Sequence, residues 1–167
     1  MTKEVAMAAE KVYEKLKELS IPFEIIEHEA ALTVEEMEKV LPEMDAQVCK
    51  NLFLRNQKGN QHYLVVMAKE KPFNLKEFEQ KQGLGKLSFA SEKRLLKYLG
   101  VPSGSVSPFG LINDSTNHVI VYIDQDLKQC DKVGVHPNIN SATITFKASD
   151  LEKYIKSLDN EVYWVKM

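Results

Sequence analysis

Lys50 stands in the segment CKNLFLR, residues 49–55. Read as a strand, the segment places Lys50, Leu52 and Leu54 on one face and Cys49, Asn51, Phe53 and Arg55 on the other. A lysine that shares a face with two leucines either snorkels at a strand edge or presents its ammonium into a pocket, where it binds an oxyanion or phosphate. A second segment, Gly104-Ser105-Val106-Ser107-Pro108 followed by Phe109 and Gly110, is bracketed by a glycine and a proline. Such a backbone can aim N–H and C=O groups at a small polar ligand. A third, GVHPNINSATITF at residues 134–146, puts His136 and Asn140 just ahead of a strand-like run, with Gly134, Pro137 and Asn138 marking a turn. Loop positions of that kind often carry function. Taken singly, each segment fits an ordinary strand edge, loop or turn equally well.

Other chemistries leave no trace. There is no GxSxG elbow, P-loop, HExxH or strand-linked GxGxxG. His28, His62, His118 and His136 lack metal-ligand spacing, and a lone histidine reads first as a partly exposed structural side chain. Cys49 and Cys130 have no short-spaced partner and read as small core residues. Neither a metal nor a cofactor is implied.

The elements that must hold these segments follow from periodicity and caps. Residues 3–19 read as a helix, with Val5, Ala8, Val12, Leu16 and Leu19 inward and Ser20 and Pro22 stopping it. Residues 23–27 form a short strand, and a Thr33–Glu36 capping box opens a second helix. Residues 49–55 and 62–67 flank a turn that includes Lys58-Gly59, which makes a β-hairpin. Asn74 caps a helix through Lys81, and Ser91 caps one that Gly100 ends. Strands are expected at 118–123, 141–146 and 162–165, and a Ser149–Glu152 capping box opens a helix through Leu158. Strands and helices mix without strict βαβ alternation. The expected class is α+β, one domain over residues 1–167, with a mostly antiparallel or mixed sheet.

The 167 residues carry 22 basic and 24 acidic side chains, a net of −2, which argues against indiscriminate polyanion binding. That total hides three blocks. Residues 1–48 hold 5 basic and 12 acidic side chains, net −7; residues 49–97 hold 11 and 4, net +7; residues 98–167 hold 6 and 8, net −2. The basic block begins beside Lys50 and includes Lys69, Lys71, Lys76, Lys81, Lys86, Lys93, Arg94 and Lys97. It is either a solvated face or a surface for an anionic partner such as a phosphate backbone. The first residues are charged throughout, and no apolar run approaches the roughly 20 residues of a membrane span. A cytoplasmic protein without membrane partners is expected.

TVEEM (33–37), CKNLFLR (49–55), LGKLSFASEKRLLKYLGVPSGSVSPFGLIND (84–114) and GVHPNINSATITF (134–146) occur in this order. In that combination the chain resembles the YbaK/ProX-like editing domains, also called prolyl-tRNA-synthetase-associated domains, and within them the freestanding alanyl-tRNA(Pro) deacylases. The resemblance implies a curved sheet with helices packed around it. It implies hydrolysis of the ester between a mischarged amino acid and the terminal adenosine of tRNA. It places the family's functional lysine on Lys50, with Asn51 next to it as a further candidate, its GxxxP loop on Gly104, Ser105, Val106, Ser107 and Pro108, and its His-Pro element on His136 and Pro137, with Asn140 close by. Lys69, Lys71, Lys86, Lys93, Arg94 and Lys97 become candidate contacts to the tRNA acceptor end. The implied partners are mischarged tRNA and prolyl-tRNA synthetase, not DNA. Residues 28–31 read His-Glu-Ala-Ala where relatives often carry His-Pro. The competing readings are a deacylase for another mischarged residue, serine or cysteine, and a non-catalytic binding regulator of aminoacyl-tRNA or a free amino acid.

Overall fold

Val12 and Leu16 are one helical turn apart, and both are fully buried. They anchor helix α1 (Lys3–Glu18), which Ser20 ends with a left-handed φ of 58°. The computed structural model describes residues 3–29 and 45–167, so the expected capping box at Thr33–Glu36 lies outside the described residues. Strand β1 (Glu24–Glu27) is followed by the long β2 (Gln47–Asn56) and by β3 (His62–Ala68), which form the expected hairpin. Asn74 accepts from Glu77 N at 3.0 Å and caps α2 (Leu75–Lys81). Strand β4 (Leu87–Phe89) leads into α3 (Glu92–Leu99), capped by Ser91 and closed by Gly100 at φ 66°. A Cβ on Gly100 would stand 2.8 Å from the Asn113 amide, which donates to the Leu99 carbonyl, so only glycine fits this turn. A 3₁₀ turn (Pro108–Asn113), β5 (Ile120–Asp124), a second 3₁₀ turn (Gln125–Gln129), β6 (Lys132–Val135), β7 (Ala142–Lys147), α4 (Ala148–Lys156) and β8 (Val162–Val165) complete the described chain.

The sheet runs β1-β7-β6-β2-β3-β5-β8, with β4 also on β2. It is mixed: β2 pairs parallel with β6 and antiparallel with β3 and β4, while β3–β5 and β5–β8 are parallel. One face carries the main core, where Val12, Leu16, Leu95, Leu99, Phe109, Ile144, Phe146, Leu151 and Tyr154 meet Cys49 and Phe53. On the other face, Leu54, Tyr63, Val65, Met67 and Tyr122 pack under Phe78 of α2. Burying each of these large side chains stabilises the fold by about 1.5–3 kcal/mol before conformational entropy is counted. Among the described residues no helix is long and apolar enough to cross a membrane.

Two local expectations change. The stretch around Gly134 forms a strand where a turn is expected, because Gly134 sits in a ladder between Val48 and Thr145. The last helix opens at Ala148, capped by Lys147 without a side-chain bond, so Ser149 lies inside its first turn and forms no capping box.

Candidate active site

Strand β2 has different neighbours along one edge. Gln47 and Val48 pair with Val133 and Gly134 of β6, while Leu54, Arg55 and Asn56 pair with Phe89, Ser88 and Leu87 of β4. No strand among the described residues pairs with that edge at residues 49–52. A cavity of about 540 Å³ opens there, lined in part by His28, Lys50, Asn51, Lys69, Gly104 and His136. Its size falls within the usual range of small-molecule sites.

Lys50 keeps the face expected of it. Leu52 and Leu54 join the Met67 cluster, Cys49 and Phe53 join the main core, and Lys50 lies opposite Met67 in the β2–β3 ladder. Its ammonium donates one hydrogen bond to the Lys71 carbonyl. An ammonium carries three donors, so two remain for a ligand. Lys71 itself is anchored: its amide donates to Ala68 O at 3.2 Å, and its ammonium pairs with Asp124 at 2.9 Å and Asp126 at 2.7 Å. Hydrogen bonds to Asp126 and then Asp124 raise the Lys71 pKa. Lys71 therefore holds Lys50 in place through its backbone while its own charge is spent. Lys69 continues the ladder by donating its amide to Val48 O at 3.0 Å, and it lines the cavity as a second cation.

The Gly104–Pro108 loop forms the facing wall. Ser105 N donates to Pro102 O at 3.2 Å, which closes a turn with Gly104 at φ 90°. Ser107 accepts from Phe109 N at 3.1 Å, Tyr154 donates to Pro108 O at 2.9 Å, and Asn138 donates to Phe109 O at 3.3 Å. Gly104 and Val106 line the cavity, together with Ser103, which sequence reasoning did not single out. Ser105, Ser107 and Pro108 are buried behind it and fix the loop.

Asn140 lines the cavity, whereas Pro137 is buried outside its lining. His136 donates from Nδ1 to Ala142 O at 3.0 Å; a carbonyl only accepts, so that nitrogen bears the hydrogen. Burial lowers the His136 pKa, with the Ala142 bond opposing it. Its neutral Nε2 is then a lone-pair acceptor. On β2, the Asn51 Oδ1 is buried and has no hydrogen-bond partner among the described residues.

The remaining basic candidates lie elsewhere. Lys86, Lys93 and Lys97 are exposed along the β4–α3 segment and do not line the cavity. Arg94 donates to Gly59 O and to His62 Nε2, both at 3.0 Å, and Lys97 lies 5.2 Å above the Tyr98 ring. Sequence reasoning also missed two polar residues of the cavity, His28 and Thr143. Alternation in ATITFK does set Thr143 and Thr145 opposite the core-facing Ile144 and Phe146, but nothing local shows that this second face is covered too.

Comparison with known proteins bears on the family and the fold. The aminoacyl-tRNA editing domain matches residues 28–154. A relative from Acetoanaerobium sticklandii, "Prolyl-tRNA editing protein ProX", is 50% identical over 153 residues, 92% of this chain and 93% of its own. A Danio rerio "Prolyl-tRNA synthetase associated domain-containing protein 1" is 34% identical over 145 residues, 86% of this chain and 78% of its own. The solved structure of a candidate trans-editing enzyme for prolyl-tRNA synthetase shares the fold with a TM-score of 0.72 at 20% identity, covering 96% of this chain and 97% of that one. With its cavity inside the matched span, the chain belongs to the aminoacyl-tRNA editing domain family.

Proposed function

We propose that this chain is a trans-acting deacylase that hydrolyses the ester of alanine mischarged onto tRNA(Pro), in the cytoplasm and alongside prolyl-tRNA synthetase. The observation that carries the reading is the convergence, around one cavity, of Lys50, Lys69, Asn140 and the Gly104 loop. An aminoacyl ester is already activated, so positioning and charge stabilisation are what the protein must supply. Lys50 uses its free donors on the developing oxyanion or the terminal phosphate, with Lys69 beside it. Asn140 and the loop backbone hold the groups common to all aminoacyl esters.

The described thiols are poor nucleophiles. Burial pushes the pKa of Cys49 far up and also raises that of Cys130, which keeps both protonated. Water therefore attacks directly. Its oxygen bonds to the carbonyl carbon and the bond to the ribose oxygen breaks. One water proton ends on that ribose oxygen, and the other stays on the new carboxyl group until it ionises. His136 closes the pocket at a depth that admits a methyl and excludes larger side chains, whereas preference for alanine over glycine rests on about 1–3 kcal/mol. The exposed Lys86, Lys93 and Lys97 give weak, salt-sensitive contact to the acceptor end, as turnover requires.

A panel of mischarged tRNAs tests this. Purified protein is expected to release alanine from alanyl-tRNA(Pro) and to spare prolyl-tRNA(Pro). Release of serine or cysteine in its place would reassign the substrate. Binding without hydrolysis over long incubation would make the chain a regulator.

A further inference from the structure

His28 and Thr143 join two segments 115 residues apart: His28 Nε2 lies 2.9 Å from Thr143 Oγ1, and Thr143 is 1% exposed yet lines the cavity. His28 Nδ1 lies 3.0 Å from the Glu29 carbonyl, which can only accept, so Nδ1 carries the hydrogen. In the neutral ring Nε2 is then an acceptor, and the Thr143 hydroxyl must donate to it. With its proton committed to His28, Thr143 Oγ1 keeps only lone pairs for any further partner. His136 is built the same way, with Nδ1–H on a carbonyl and Nε2 left as an acceptor, and the two rings lie 6.2 Å apart. Thr143 Oγ1 and His136 Nε2 are thus both acceptors. A water that donates both hydrogens to Thr143 Oγ1 and His136 Nε2 presents its own lone pairs outward, as a nucleophile requires.

Resting on the deacylase reading, the geometry points to Thr143 as a catalytic residue that orients the hydrolytic water, and to His28 as a positioning residue that acts through Thr143. The test compares Thr143→Val, Thr143→Ser, His28→Ala and the Thr143→Val/His28→Ala double variant. Valine keeps the methyl that packs by Gly134 and removes the hydroxyl. On alanyl-tRNA(Pro), Thr143→Val is expected to lower kcat about 100-fold with KM within about 2-fold, and Thr143→Ser to stay within about 5-fold of the parent. His28→Ala is expected to lose about 10-fold alone and almost nothing further in the Thr143→Val background. Unchanged kcat in Thr143→Val, or losses that multiply in the double variant, would overturn the proposal. If Thr143→Val does not fold, His28→Ala decides, because full kcat there excludes the role. Imidazole nitrogen NMR on the free protein reads the pair without substrate. Thr143→Val should move the His28 Nε2 resonance and leave Nδ1 in place, and no movement refutes the pair. An inactive parent with the His28–Thr143 bond present would instead refute the deacylase reading.

Discussion

Strand β2 has a pair of histidines near each end, and the two pairs differ in what they leave unspent. Toward its C-terminal end, His62 is fully buried, with Nδ1 at 2.9 Å from His118 Nε2 and Nε2 accepting from Arg94 at 3.0 Å. Phe53 and Tyr98 pack against the His62 ring, and His118 stacks on Tyr98. Every ring nitrogen of His62 has a protein partner, so nothing remains for a ligand. At the other end, His28 and His136 each spend Nδ1 on a carbonyl, and His28 Nε2 binds a cavity hydroxyl, while His136 Nε2 has no hydrogen-bond partner among the described residues. Residue type alone thus does not separate the two pairs, whereas hydrogen-bonding capacity left unspent beside a cavity does. The cations divide the same way: Lys71 and Arg94 are committed to protein partners, whereas Lys50 and Lys69 face the cavity.

The sharpest challenge to this contrast is Lys50→Ala. Loss of its ammonium should lower kcat/KM on the alanyl ester by about 100–1,000-fold with little change in thermal midpoint; a fully active variant breaks the assignment. His62→Phe should do the reverse. It leaves Arg94 short of one acceptor and costs about 1–3 kcal/mol in denaturant unfolding, while kcat of the folded fraction stays at the parent value. A fall in kcat there would show that the two ends are coupled.

His136→Ala comes next. A deeper pocket should raise hydrolysis of bulkier aminoacyl esters relative to alanyl by about 10-fold, measured across the mischarged panel. Acidity should affect the buried pair through stability. Burial first, then the neighbouring His118 and Arg94, lowers the His62 pKa from 6.5 to about 4. Its contribution is therefore full above pH 6.5 and falls as pH drops toward 4, because the unfolded chain takes up a proton that the folded one refuses. The Tm of the parent should decline over that window more steeply than that of His62→Phe. The smallest effect belongs to Lys93→Ala, an exposed position outside the cavity, which should weaken tRNA binding about 2–3-fold and reduce the salt slope by about one contact.

Much of this molecule is written locally. Asn74, Ser91 and Gly100 announce helix ends because each satisfies or terminates backbone bonds within a few residues of itself. The hairpin and the face occupied by Lys50 follow from period-two alternation, and the ordered segments around Lys50, Gly104 and His136 mark the family before any coordinate is known. What remained hidden depends on long-range pairing. The KVGV strand is short and holds a glycine, and only its parallel contact with β2 and antiparallel contact with β7 make it a strand. Thr143 is polar in an alternating strand and reads as solvent-facing until β6 and the His28 segment cover it. Lys71 and Arg94 count as free charges until Asp124, more than fifty residues on, and His62, 32 residues back, claim them. The sequence by itself determined the family and most of the element types, though not the KVGV strand, because caps, alternation and ordered motifs are properties of neighbouring residues. Which polar groups are spent and which face the cavity was decided by the tertiary structure alone, because a hydrogen bond between distant segments exists only once the sheet has brought them within 3 Å.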